Sequence, residues 1–208
     1  MILGVWYPEP IVSAQVWTDI AVSLESNPDI NQKIYVPKPS RPLGYDFENR
    51  NRNYLNIRPH IINSYISKSS SMFDRLLESL SFSILCCLKL LPKKNIDLII
   101  NNSWWLPGRY LIALICRLKK IKYITSVQDI YPESLSSKIG FGFAYNTLKY
   151  IDSYTLKNAH RVITIDQKMA LYLSKSRNID INNIIPIKNW TYTYEHSNQK
   201  NKKNIYRH

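Results

Sequence analysis

Short apolar runs alternate with amphipathic stretches along most of this chain, and the alternation sets out a series of strands and helices. Residues 1–6 are an apolar run stopped by Tyr-Pro-Glu-Pro, which predicts a buried first strand and its loop. Ser13 can cap the helix that follows, where Val16, Trp17, Ile20, Ala21 and Leu24 recur at helical spacing. Residues 33–36 predict a second strand. Pro37, Pro39 and Pro42 then open a loop that runs to about Asn53, and 54–66 supplies another strand. Ser71 is placed to cap a helix over 72–91, in which Phe73, Leu76, Leu77, Leu80, Ile84, Cys87, Leu88 and Leu91 keep the helical period. Beyond Leu80 its apolar character spreads around the whole circumference. That implies burial in protein, as a central core helix would have, or at a lipid interface.

The second half keeps the same rhythm. Strands are predicted over 96–100, 121–127, 161–165 and 183–187, with helices over 108–119, 143–158 and 167–175. Strands and helices alternating at this pace predict an α/β fold: a Rossmann-like parallel sheet flanked by helices, with right-handed crossovers. One domain over 1–190 accounts for the pattern. The remainder, 191–208, is polar and basic and is expected to be disordered, with little apolar content.

Charge changes the picture more than composition does. The 208 residues hold 28 Lys+Arg against 15 Asp+Glu, a formal net charge of +13, which suits a polyanionic partner. Between Lys89 and Lys122 only Asp97 is acidic, and the basic residues flank apolar helical segments. That interleaving fits an anionic membrane surface better than a nucleic-acid groove, and no aromatic sheet motif or recognition helix supports nucleic acid. A solvated basic surface remains the plain alternative. Trp104 and Trp105 follow a strand end near Arg109, with Lys119 and Lys120 at the end of the next helix. These five are the candidate membrane contacts, packing against the neighbouring helix being the other use of the two tryptophans. No run reaches the roughly 20 apolar residues of a spanning helix. Cys86, Cys87 and Cys116 sit in apolar helical stretches without metal-ligand spacing, as small core hydrophobes of a reducing compartment. The four histidines form no ligand pattern, so no metal site and no cofactor is expected.

Candidate chemistry lies where the strand over 121–127 runs into Gln-Asp-Ile-Tyr-Pro-Glu. Pro132 stops regular structure, leaving Asp129 and Glu133 at a carboxyl edge, where open α/β sheets bind ligands. Asp129 can orient or deprotonate a hydroxyl, or it can cap the turn. Glu9, in the first strand's loop, faces the same edge as a polar contact or a solvated loop residue.

Four collinear blocks carry a resemblance. Tyr7-Pro8-Glu9-Pro10, with Ser13-Ala14 after it, resembles the first loop of bacterial family-four glycosyltransferases with the GT-B fold. Gln128 to Ser134 matches the Gln-Asp-Leu-Trp-Pro-Glu/Asp-Ser block of their surface-polysaccharide branch (colanic acid, O-antigen, capsule). Asn158 to Ile165 resembles their Ala-Asp-x-Val-Ile-x-Ile-Ser block, and Ile184 to Trp190 their Ile-x-x-Ile-Pro-Asn-Trp. The chain departs from the pattern at Ile11 and Val12, where two glycines are usual, at His160 in place of Asp, and at Asp166 in place of Ser.

The resemblance implies the acceptor-side half of a retaining glycosyltransferase. Its members move a sugar from a nucleotide donor to a polyprenyl-linked saccharide at the cytoplasmic face of the cell membrane, without a catalytic metal. It implies Asp129 and Glu133 as catalytic, Glu9, Ser13 and Asn189 at the acceptor or the crevice, and a donor-binding domain expected to be absent from this chain. Such a half is expected to be nearly inactive unless a second domain or a separately encoded subunit holds the nucleotide sugar. The alternatives are a non-catalytic, membrane-associated acceptor-binding subunit and a decayed gene fragment.

Overall fold

Among the residues that the computed structural model describes (1–45, 47, 57–69, 71–102 and 106–188), seven short strands build one parallel sheet. They are β1 (Ile2–Leu3), β2 (Tyr35–Pro37), β3 (His60–Ile62), β4 (Leu98–Asn102), β5 (Lys122–Val127), β6 (Arg161–Thr164) and β7 (Ile184–Pro186). Their order across the sheet is β3-β2-β1-β4-β5-β6-β7, parallel throughout. The winding direction therefore reverses between β1 and β4. In open α/β sheets that reversal opens a crevice outside the carboxyl ends of the strands.

The helices are α1 (Val12–Glu25), α2 (Met72–Leu90), α3 (Leu106–Leu118), α4 (Ser136–Ile139), α5 (Phe143–Lys157) and α6 (Gln167–Arg177). Apart from the single turn of α4, each answers to a helix predicted from periodicity, with ends shifted by a few residues. Ser71 caps α2 by accepting from the Asp74 N–H at 3.1 Å. Asp166 caps α6, accepting from the Met169 N–H at 2.7 Å. Ser13 does not cap α1. The helix starts one residue before it, behind Ile11, so its hydroxyl lies past the capping position and accepts instead from Asn102 Nδ2 at 3.1 Å.

One face of the sheet carries the main core. Phe82, Cys86 and Leu90 of α2, with Ile112, Ala113 and Cys116 of α3, close over Ile2, Ile62, Ile99 and Tyr123. Each large side chain buried this way contributes about 1.5–3 kcal/mol. Burial pushes the Cys86 thiol up to about 12, so it packs as a small hydrophobe. On the other face α1 sets Trp17 and Ala21 against Leu3, Ile34 and Val36. Further along that face, Leu98 and Ile185 are about two-fifths exposed, and Ile100, Ile124 and Ile163 are only half-buried. Parallel sheets ordinarily bury both faces; here Ile100 and Ile163 pack against the α1 cluster, while Leu98 and Ile185 stay partly open to solvent.

A buried ion network ties the α3, α5 and α6 layer together. Arg177, at the end of α6, donates from Nε to Asp152 of α5 at 2.8 Å. Its two other nitrogens take Glu133 in a two-pronged pair at 2.8 and 2.6 Å. Arg109, in the first turn of α3, reaches the second oxygen of Asp152 at 3.3 Å. Two cations and two anions balance, so no net charge is enclosed. Removing one partner leaves its mate buried and uncompensated, which costs about 3–5 kcal/mol. Arg177→Ala and Asp152→Ala are each expected to lose stability on that scale in urea unfolding, whereas exposed Lys168→Ala stays within about 0.5 kcal/mol.

Candidate functional site

Beside the winding reversal the loops after β1 and β2 are joined to each other and to α2. The loop after β1 is pinned by Gly4 N–H donating to the Asn102 carbonyl at 3.0 Å and Glu9 N–H to the Trp6 carbonyl at 3.1 Å. Its path brings Glu9 inward, only 3% exposed. Glu9 Oε1 accepts from the backbone N–H groups of Ser40 and Arg41, at 2.7 and 3.2 Å. Glu78 of α2 completes the cluster. It accepts from Ser40 Oγ and from Arg41 Nη2, each at 3.0 Å. Neither solvated nor at the surface, Glu9 thus joins the loops after β1 and β2, and Glu78 joins them to α2.

This region contains polar atoms that folding has left without partners. Glu9 Oε2, Arg41 Nε and Nη1, Ser83 Oγ, Thr125 Oγ1, Arg109 Nε and both side-chain atoms of Asn101 are buried and find no hydrogen bond among the described residues. Asn101 and Thr125 are direct neighbours in the β4–β5 register. Folded chains pair nearly all such groups, and each exception calls for an explanation. Here the exceptions come from elements meeting at the carboxyl side of the sheet under α2 and α3. They mix donors with acceptors and are closed off from solvent. Among the described residues, no group of three His, Cys, Asp or Glu is placed to hold a metal.

The loop after β5 separates the two carboxylates predicted to be catalytic. Asp129 is exposed and lies within electrostatic reach of Arg109 and Tyr131. Glu133 is turned the other way. Burial works against its charge, but the Arg177 hydrogen bonds outweigh it and hold the carboxyl below its usual range. Arg177 likewise keeps its charge against burial, through Glu133 and Asp152, and also grips the Tyr131 carbonyl at 2.8 Å. With both oxygens committed, Glu133 is a poor base and serves to hold the loop.

The predicted membrane residues scatter. Arg109 is 2% exposed and paired with Asp152, so it is an interior cation and not a surface contact. Half-buried Lys119 and exposed Lys120 lie at the opposite edge of the sheet, where Lys119 Nζ donates to the Leu91 carbonyl at 2.7 Å. Trp104, Trp105 and Asn189 fall outside the described residues.

Sequence reasoning passed over Ser40, Arg41, Glu78, Asn101 and Thr125. A signal was available for three of them. Glu78 stands four residues before Phe82 on the inward face of α2, and Asn101 and Thr125 occupy inward positions two residues after Ile99 and Tyr123. A polar residue in an otherwise apolar, inward register needs a partner. Ser40 and Arg41 gave no such sign, because only tertiary contact buries their loop.

No family model matches the chain, and no curated protein does. Among solved structures, the crystal structure of a glycosyltransferase from Rickettsia africae ESF-5 is similar, at 19% identity and a TM-score of 0.49. The match covers 90% of this chain and 42% of that one, so the chain spans less than half the length of that protein.

Burial pushes the Glu9 carboxyl up to about 7 from its usual 4.5, against the Ser40 and Arg41 N–H groups that favour its anion. The folded state therefore holds this proton more tightly than the unfolded chain does. Its contribution to stability is full below about pH 4.5 and is lost as pH rises through about 7. Glu9→Gln cannot ionise, so the wild-type urea midpoint is expected to fall relative to that of the variant as pH rises across this window. A difference that stays constant with pH would show that Glu9 titrates normally.

Proposed function

We propose that this chain is the acceptor-side half of a retaining glycosyltransferase, acting on a polyprenyl-linked saccharide of surface-polysaccharide synthesis. The observation that carries this reading is the loop after β5, which exposes the Asp129 carboxylate at the carboxyl edge of a parallel sheet, where such folds bind ligands. The Gln128–Ser134 and Tyr7–Ala14 blocks, which resemble the family, lie in the chain after β5 and after β1. In this mechanism the acceptor hydroxyl donates to the Asp129 carboxylate, which orients it. Its oxygen bonds the anomeric carbon on the face that the nucleoside diphosphate leaves, as the anomeric C–O bond to that diphosphate breaks. The hydroxyl proton passes to Asp129. The Arg177–Glu133 pair keeps that loop in place.

The nucleotide sugar is held by a second unit, whether continuous with this chain or separate. The partly exposed Leu98 of β4 and Ile185 of β7 are apolar positions that such a unit would cover. Holding donor and acceptor in register supplies on the order of 7–11 kcal/mol of a barrier, so the residues described here turn over negligibly by themselves.

The lipid-linked acceptor also gives a reason for the outer face of α2. Phe73, Leu77, Ile84, Leu88 and Leu91 are 67, 39, 47, 56 and 51% exposed. At 3.6 residues per turn they fall within about 60° of arc. Exposed Lys89 and Lys94 stand at the end of this stripe, with Lys119 and Lys120 beside it. Anionic lipid is the occupant these features fit: apolar side chains enter the interface while each nearby lysine contributes about 1 kcal/mol. No helix among the described residues is long and apolar enough to cross a membrane, so the contact is peripheral, on the cytoplasmic face where donor sugars are made.

A second reading, a non-catalytic acceptor-binding subunit, is favoured by Ile11 and Val12. Val12 is 43% exposed at the start of α1, where β-branched side chains obstruct the close approach of a phosphate.

With a donor-binding unit, a panel of nucleotide sugars and a lipid-linked acceptor extract, transfer is expected to fall about 100-fold or more in Asp129→Asn. Unchanged transfer in the variant would remove Asp129 from the mechanism. Turnover by the chain without any donor unit would overturn the division of labour. In flotation assays the chain should rise with phosphatidylglycerol vesicles and much less with phosphatidylcholine. The double variant Phe73→Asp, Leu88→Asp should weaken binding at least about tenfold, given about 1.5–3 kcal/mol for each side chain. Equal binding to both lipids, or binding that survives the double variant, would refute the docking face.

A further inference from the structure

We propose that the glycine-flanked turn before α5 inserts Phe141 and Phe143 into an anionic lipid surface, as a second anchor apart from α2. This rests on the lipid-docking reading above and adds to it a contact on a different element.

The turn between α4 and α5 reads Gly-Phe-Gly-Phe. Gly140 ends α4 with φ 65° and ψ −177°, a conformation that glycine alone adopts without strain. Phe141 is 77% exposed, and Phe143, the first residue of α5, is 88% exposed. A single exposed apolar side chain is ordinary, but two aromatic rings on one fixed turn are not. Tyr145 braces the tip. Its ring meets that of Phe141 edge-on with centroids 5.1 Å apart, and Lys149 Nζ stands 6.0 Å over its own centroid.

Helical geometry gives the direction in which the tip points. Phe143 and Tyr150 lie seven residues apart on α5, hence within about 20° of each other, and Tyr150 is 69% exposed. Asp152 lies nine residues from Phe143, about 180° round the helix, and pairs with Arg109 and Arg177 in the interior. The aromatic stripe therefore faces directly away from the buried ion network. The neighbouring helices sit side by side with α5. Arg117 of α3 donates to the Tyr154 hydroxyl at 2.8 Å, and Cys87 of α2 reaches the Leu111 carbonyl of α3 at 3.6 Å. Leu118 of α3, nine residues from buried Arg109, is 78% exposed. All three helices thus present apolar side chains on the side away from the core.

Charge complementarity selects the occupant. Between Glu133 and Asp152 the chain has two lysines, Lys138 and Lys149, and no acid. Across α2, α3 and α5 the acids are Asp74, Glu78 and Asp152. Glu78 and Asp152 are buried in ion pairs, and Asp74 accepts from Ser69 at the start of α2. Exposed Lys89, Arg117 and Lys157 outnumber that one remaining anion, which favours an anionic surface. Shape argues against a protein. Two aromatic rings bury about 300–500 Å², well under the roughly 800 Å² per partner of a stable interface. A projecting tip needs a surface that yields around it, as the acyl boundary of a bilayer does. The tip and Asp129 both belong to the connection from β5 to α5, so insertion holds the Asp129 loop close to the lipid.

The test uses the full chain with phosphatidylglycerol vesicles. The double variant Phe141→Ser, Phe143→Ser removes both rings without adding charge. It should weaken binding in flotation at least about tenfold, with the fold intact by circular dichroism. Val22→Ser changes a side chain 43% exposed on α1, across the sheet, and should bind as the wild type does. Phe143→Trp reads depth, because lipids with brominated acyl chains should quench it beyond the quenching of the wild type's own tryptophans. The proposal is overturned if the tip variant binds unchanged, if Val22→Ser weakens binding equally, or if Phe143→Trp gains no quenching. It is also overturned if the wild type self-associates in sedimentation and the tip variant does not, since the tip would then face a second copy. The α2 face fails separately. Binding lost in Phe73→Asp, Leu88→Asp but kept in the tip variant leaves α2 alone as the anchor, and the reverse pattern leaves the tip alone. A wild type that does not bind these vesicles removes both.

Discussion

Arg177 is the constraint on which much of the second half of this molecule depends. Its guanidinium lies wholly inside, where a cation without partners would be prohibitively costly. The fold meets that demand from α5 through Asp152, and from the loop after β5 through Glu133 and the Tyr131 carbonyl. Asp152 also satisfies Arg109 of α3. One side chain therefore fixes how three helices pack and how the chain leaves β5. The exposed position of Asp129 follows from this, since Tyr131 and Glu133 are drawn inward just beyond it.

Across the winding reversal a second polar knot does comparable work with a different outcome. Glu78 secures Ser40 and Arg41, and Glu9 secures their backbone N–H groups, so the loops after β1 and β2 are bound to α2. The Arg177 network commits both oxygens of Glu133 and both of Asp152. In the Glu9 cluster, Glu9 Oε2 and Arg41 Nε and Nη1 are buried without a partner among the described residues. A fully satisfied network holds structure more firmly than a partly satisfied one. This contrast separates Glu133 from Glu9, two glutamates that look equally eligible in the sequence.

The helix α2 links the Glu9 cluster to the apolar exterior. Its inner face carries Glu78 into the first and Phe82, Cys86 and Leu90 into the core. Its outer face presents Phe73, Ile84, Leu88 and Leu91 to solvent. A helix apolar on nearly all sides is usually enclosed, and this one is enclosed on one side only. The proposed acceptor, a sugar head carried on a lipid tail, would meet the exposed Asp129 carboxylate with its head and the apolar stripe of α2 with its tail.

The chain's sequence by itself determined the class of fold, the order of its elements and the position of its carboxyl-edge loops. These follow from local quantities: apolar runs for β4, β5 and β6, the 3.6 period of α2 and α5, the cap at Ser71 and the proline stops after β1 and β5. Ser13 marks where local reasoning fails, because the start of α1 one residue earlier and the nearby Asn102 amide decided what its hydroxyl would do. The roles of the charged residues were likewise settled only in three dimensions. Arg109 looks like a surface cation until Asp152, 43 residues later, meets it in the interior. Glu133 looks like a base until Arg177, 44 residues later, closes on it. Hydrophobic pattern is periodic along the chain and therefore readable from it. The pairing of buried charges joins residues far apart in sequence, so only the packed structure could decide which carboxylates are committed to the fold and which are left for chemistry.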